Sequence, residues 1–283
     1  MRLIAGIIAA LALAAPAAAE PPKPCQPDAE GGMDFEACAK AAAPGSAERM
    51  LAYINLGTHA FLRGDYAAAV RFYDEARPAD RTQRLYSDAT FHAFRAAAYE
   101  RVGREPEALE DAQVALAMLE GKSPPGVPDR SADAEPEAVL PYVLPILKRG
   151  GDAGYPRALA VYRSMPAKDW VSYANRAGVL AEVGEVQAAL ADNAQAAKLA
   201  PDEPAVLNNS CYILTLAGRP GEGLPSCQRA AAAAPQVPAV HDSYAVALAA
   251  LGRCSEAQAE LAKARTLDPA SLEYSRKLAC TKR

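Results

Sequence analysis

Few residues in this chain could do chemistry beyond packing, and the six cysteines come first: Cys25, Cys38, Cys211, Cys227, Cys254 and Cys280. No two of them form a CxxC pair, the spacing that seeds a zinc site, so no metal is expected. An even number in an exported chain reads instead as a disulfide framework, and oxidised sulfur is not a nucleophile. Spacing alone does not choose among the many pairings open to six cysteines. The three histidines, His59, His92 and His241, belong to no catalytic motif. HExxH, GxSxG, a glycine-rich phosphate loop and a paired-carboxylate context are all missing from the sequence. The residues therefore point away from an enzyme and imply no cofactor. What remains is a set of amides, Asn55, Asn175, Asn208 and Asn209. An amide donates and accepts at once, which suits it to hold the backbone of another chain.

Export rests on the first residues. Arg2 precedes the apolar stretch Leu3 to Ala15, and Ala17-Ala18-Ala19 supplies the small residues that signal peptidase requires, which places cleavage between Ala19 and Glu20. That stretch is too short to span a bilayer, so no membrane insertion is expected after cleavage. The alanine-rich signal looks bacterial and predicts a periplasmic or secreted protein. The formal net charge of −4 lacks the basic excess of a nucleic-acid binder.

The elements that must position these residues are helices. Apolar residues make up 51% of the chain and aromatics only 6%, so alanine, the best helix former, supplies much of the apolar content. Alternating runs of Val, Ile and Thr, which would announce a sheet, are absent. A period of 34 residues organises the helices: it separates Pro201, Pro235 and Pro269, then Gly184, Gly218 and Gly252, then Ala196, Ala230 and Ala264. In the unit from Trp170, the residues Tyr173, Ala177 and Leu180 share one helical face; Gly184 permits a turn; Ala189, Asn193 and Ala196 continue on a second helix, which Pro201 ends. Ala177 and Ala189 are small where the two helices should cross.

These residues resemble the tetratricopeptide repeat pattern. The same positions are filled by Gly57, Gly64, Ala69, Tyr73 and Ala76 in a unit from Met50, and by Ala96, Gly103, Ala108 and Ala115 in one from Ala89. Cys211, Gly218, Gly223, Cys227 and Ala230 fill them from Pro204, and Ala245, Gly252, Ala257, Leu261 and Ala264 from Pro238. A degenerate unit runs from Val139 to Met165, its first helix weakened by Pro141 and Pro145. The organisation expected is a signal peptide at 1–19, a Pro- and Cys-containing lead-in at 20–47 and a two-repeat N-terminal module at 48–120. A Pro-rich loop or linker follows at 121–138, then a C-terminal module of one degenerate and three regular repeats at 139–271, and an end-capping helix at 272–283.

The resemblance implies an all-α, right-handed superhelical solenoid whose first helices line a concave groove. The register places Asn55, Asn175 and Asn209 at one groove-facing position, with Asn208, Tyr212, Asp242 and Ser243 bordering the same strip. These seven residues form the expected binding site for a peptide or protein partner. The family's carboxylate clamp for chaperone C-termini is absent, because Ala174, Gly178, Ala239 and Ser243 stand where its Lys, Asn and Arg residues belong. The register also pairs Cys211 with Cys227 across one helix pair and Cys254 with Cys280 at the end. Cys25 and Cys38 are expected to staple the lead-in, a segment outside the repeat register. The function implied is an exported scaffold or adaptor in cell-envelope assembly. The alternative is a structural module that self-associates, and the sequence leaves the oligomeric state open.

Overall fold

The computed structural model describes residues 23–26, 33–76, 89–122, 135–269, 271 and 273–280. The expected signal peptide, its cleavage point and most of the 121–138 segment lie outside them. Among the described residues thirteen α-helices follow one another: α1 (Phe35–Ala41), α2 (Ala47–Leu62), α3 (Tyr66–Glu75), α4 (Ala89–Arg101), α5 (Glu105–Leu119), α6 (Pro136–Arg149), α7 (Tyr155–Ser164), α8 (Trp170–Glu182), α9 (Val186–Leu199), α10 (Pro204–Leu216), α11 (Pro220–Ala233), α12 (Pro238–Ala250) and α13 (Cys254–Leu267). No strand occurs among the described residues, and none of their helices is long and apolar enough to cross a membrane.

Local chemistry sets the helix ends. Pro204, Pro220 and Pro238 each open a helix, where a missing N–H leaves nothing unbonded. Asp169 and Ser172 cap α8 reciprocally. Between the two helices of a unit the chain turns through Gly184, Gly218 and Gly252 at φ of 72°, 75° and 75°. The next residue's N–H then reaches back five residues: Glu185 to the Leu180 carbonyl at 2.7 Å, Arg219 to Leu214 at 2.8 Å and Arg253 to Leu248 at 2.9 Å. That closure satisfies carbonyls a helix end would leave bare, and its positive φ selects glycine.

Within each unit the helices cross over small residues. Ala177 and Ala189 are fully buried at the crossing of α8 and α9. Gly57 of α2 lies under the Tyr73 ring, where a Cβ would come within 2.5 Å of a ring carbon. Gly57→Val should therefore force the helices apart at a cost of about 1–3 kcal/mol. A thermal melt followed by circular dichroism should show a lower midpoint, whereas an unchanged one would mean that Tyr73 has room to move.

The structure differs from the sequence reading in two stretches. The segment 121–138 is expected to be a Pro-rich loop or a linker; after it α6 begins at Pro136 and packs against α4 and α5. One core cluster continues from Ala60 to Ile213 through Val139, Val143, Leu144 and Leu147, and so includes residues from both sides of that segment. α6 runs unbroken through Pro141 and Pro145. An interior proline costs about 3 kcal/mol, but each well-buried aliphatic side chain on this helix returns about 1.5–3 kcal/mol.

The expected end-capping helix at 272–283 is absent from the described residues, which hold only a single 3-10 turn at Glu273–Ser275 followed by irregular chain. The reason lies in Arg265. Its Nε donates to the Tyr274 carbonyl at 2.6 Å and its Nη2 to the Arg276 carbonyl at 2.8 Å, which takes acceptors an α-helix would need. The segment still covers the end of the stack, with Tyr274 and Leu278 on Ala245, Leu261 and Ala264.

Candidate functional site

The first helices of successive units line a concave groove of about 1030 Å³. Its walls carry Glu100 and Arg101 from α4, Arg149 from α6, Glu182 from α8, Tyr212 from α10, and Asp242 and Ser243 from α12. The C-terminal segment closes one side with Glu273, Arg276 and Lys277. Arg101 Nη1 meets Glu273 Oε2 at 2.5 Å, so the stack curves enough for its second unit to touch the chain end.

The groove is partly buried: Asp242 is 7% exposed, whereas the Glu182 side chain keeps about half of its surface in solvent. Burial raises the Glu182 carboxyl above its ordinary value, although Arg101 and Arg149 act against the rise. Burial likewise raises Asp242 in spite of Arg276. The Tyr212 hydroxyl is raised by burial first and then by Glu182. Arg149 is shared between Glu100 and Glu182, the second at 4.0 Å. Carboxylates in this setting gain much from a cation that arrives with its own hydrogen bonds.

Of the expected site residues, the groove brings together Tyr212, Asp242 and Ser243. The asparagines do not form a free ladder beside them. Asn209 Nδ2 donates to the Ala174 carbonyl at 2.8 Å and so ties α10 to α8 of the preceding unit. Asn55 Nδ2 bonds the Leu51 carbonyl of its own helix at 2.8 Å. The Asn208 Oδ1 is buried without a hydrogen bond, and Asn175 alone is exposed. At this place in the register Asn209 alone reaches a carbonyl of the preceding unit, so it serves the seam between units. The acids and arginines of the groove were missed. Glu100, Arg101 and Glu182 end their helices on the concave side, and a scan of that end of the register for charge would have found them.

The structure also shows what the histidines do. His92 Nδ1 lies 2.9 Å from Asp111 Oδ1, and Arg95 grips the same carboxylate with Nε at 2.6 Å and Nη2 at 2.7 Å. Arg176 repeats the grip on Asp192 with Nε at 2.6 Å and Nη2 at 2.8 Å. His241 meets Glu260 at 2.7 Å and the Pro235 carbonyl at 3.0 Å. Asp111, Asp192 and Glu260 hold the same place on their second helices, so in these three units one acid ties the two helices together.

All six cysteines are paired. The bridges are Cys25–Cys38, Cys211–Cys227 and Cys254–Cys280, with S–S distances of 2.06, 2.09 and 2.04 Å, and they are the pairs that the sequence reading arrived at.

A tetratricopeptide repeat protein from Parabacteroides merdae matches this structure with a TM-score of 0.57 at 14% sequence identity, over 83% of this chain and 84% of that one. The fold is that of a tetratricopeptide repeat (TPR) protein. A thermophilic TPR protein in Thermus thermophilus matches at a TM-score of 0.36 and 18% identity, over 80% of this chain and 95% of that one. YrrB, a TPR protein with an unusual peptide-binding site, matches at 0.33 and 16%, over 83% and 92% of the two chains. No family model and no curated protein matches the sequence. The similarity is thus carried by the TPR backbone, with the small residues at the helix crossings and the glycine turns as its trace in sequence.

Proposed function

We propose that this protein is an adaptor outside the cytoplasm that docks a segment of a protein partner in its concave groove. The observation that carries this reading is the groove, where unevenly compensated charges from four units converge around Tyr212 and Asp242. Solvated surface charges seldom gather in one half-buried concavity, and recognition sites regularly place a few polar groups in such a setting. Catalysis is disfavoured by the histidines, since His92 and His241 are engaged by Asp111 and Glu260 within their own units. Three disulfides in one chain support export, because a reducing compartment does not sustain them. That address together with the scaffold fold supports a place in cell-envelope assembly.

The test is crosslinking in the native envelope with wild-type protein and with Tyr212→Ala/Glu182→Ala. The wild type should capture a defined partner and the double variant should lose at least about tenfold of it, as expected for two interface side chains worth about 1 kcal/mol each. Equal capture by a folded variant would move the partner to another face. Light scattering on the purified protein checks the competing reading: a monomer at all concentrations fits an adaptor, whereas a concentration-independent dimer would favour self-association.

A further inference from the structure

The C-terminal segment already sits in the groove, and it fits imperfectly. Arg276 Nη2 donates to Asp242 Oδ2 at 2.8 Å, while its Nη1 is turned away to the Glu273 carbonyl of its own segment at 2.6 Å. Asp242 is only 7% exposed, and its Oδ1 has no hydrogen bond. Elsewhere in this chain, buried guanidiniums take both carboxylate oxygens: Arg95 on Asp111 at 2.6 and 2.7 Å, Arg176 on Asp192 at 2.6 and 2.8 Å. A planar fork matches a carboxylate through two parallel bonds, and half of that match is unused at Asp242. An acceptor buried without a partner is costly, so an occupant that filled it would be preferred.

We propose that the 273–280 segment is a built-in placeholder, and that the groove's ligand is an extended basic segment of the partner whose arginine displaces Arg276 and takes both oxygens of Asp242. This rests on the groove being the docking site. Charge favours it: apart from the tail, the groove walls hold Glu100, Glu105, Glu182 and Asp242 against Arg101 and Arg149. The segment that fills the place is itself basic, with Arg276 and Lys277 against Glu273. The Cys254–Cys280 bridge ties the placeholder back to the start of α13, so it competes at a high effective concentration. A ligand must therefore outbid a tethered rival, and the missing second bond of Arg276 is what leaves it room to do so.

The probe is a fluorescein-labelled peptide of residues 271–280 of this chain with Cys280→Ser, followed by anisotropy against the full mature protein. It should bind Arg276→Ala at least about tenfold more tightly than wild type. Cys254→Ser/Cys280→Ser, which frees the tail by a separate route, should tighten binding in the same direction and keeps the test open if Arg276→Ala does not fold. Asp242→Asn should lose the peptide in every background. Equal affinity for wild type and both variants, or binding that survives Asp242→Asn, overturns the proposal, and so does failure of the peptide to bind any of them. A control peptide with glutamate at the arginine position separates the two readings. If it binds as well as the basic one, guanidinium recognition is wrong while peptide docking in the groove stands. Loss of the crosslinked partner in Tyr212→Ala/Glu182→Ala reports on docking alone.

Discussion

Asp111→Ala should lower the unfolding free energy by about 3–5 kcal/mol, the cost of leaving a buried charge without its counter-ion. Arg95 is 5% exposed and its Nη1 already has no hydrogen bond, so nothing is at hand to replace the carboxylate. The loss would extend to the His92 contact on the same oxygen and to the tie between α4 and α5. Urea melts of wild type and variant measure it, and a change below about 1 kcal/mol would show that water reaches the guanidinium. Arg95→Met/Asp111→Leu should come close to wild-type stability, because an apolar pair of similar volume removes both charges at once. The pair also fixes a pH dependence. Burial alone would raise the Asp111 carboxyl, but hydrogen bonds from Arg95 and His92 and the Arg95 charge hold it below its ordinary value. A carboxyl depressed in the folded state contributes stability above its unfolded value of about 3.9, and that stability is lost as pH falls through the folded value. Asp111→Ala should therefore flatten the acid limb of the stability curve.

Cys211→Ala/Cys227→Ala is expected to cost about 3 kcal/mol by the chain-entropy argument for a loop of this length. Both sulfurs are fully buried, between α10 and α11, and their separation in sequence is 16 residues. Beneath them Gly223 leaves no slack, since a Cβ there would stand 3.0 Å from the Cys211 carbonyl oxygen. The bridge thus takes the place that Tyr73 fills above Gly57 in the first unit. At about 2–4 °C per kcal/mol for a chain of this size, the thermal midpoint should fall by roughly 6–12 °C. Adding reductant to wild type should move it in the same direction. A midpoint that stays within about 2 °C would mean that the denatured chain gains little freedom when the bridge is removed.

Much of the fold was legible because its rules are local. A glycine with positive φ, an alanine at a helix crossing and a proline at a helix start each answer a backbone or packing demand, and their recurrence at one period exposes the whole stack. Pro141 and Pro145 misled for the same reason. Their local cost is real, but the buried face of α6 offsets it, and that burial depends on α4 and α5, which no local pattern announces. The end of the chain failed likewise, since the carbonyls of Tyr274 and Arg276 are claimed by Arg265 across a turn. For the site, the register placed Tyr212, Asp242 and Ser243 in the groove. It could not tell that Asn209 would spend its amide on Ala174, nor that Arg276 would return to Asp242 from the last stretch of sequence. Those partners are chosen by curvature, and curvature accumulates over several units.

The placement of the bridges bears on how this array comes apart. In a linear stack a terminal unit has one neighbour and an internal unit has two, so opening starts at the ends and travels inward. Cys25–Cys38 lies before the first unit, and Cys211–Cys227 and Cys254–Cys280 lie in the last two. The stretch without a bridge is the one through which the core cluster from Ala60 to Ile213 runs. Fraying is thus checked covalently where it would begin and left to burial where neighbours suppress it. A protease working inward, or a force applied along the stack, would meet a sulfur crosslink before it could strip the first pair of helices at either end.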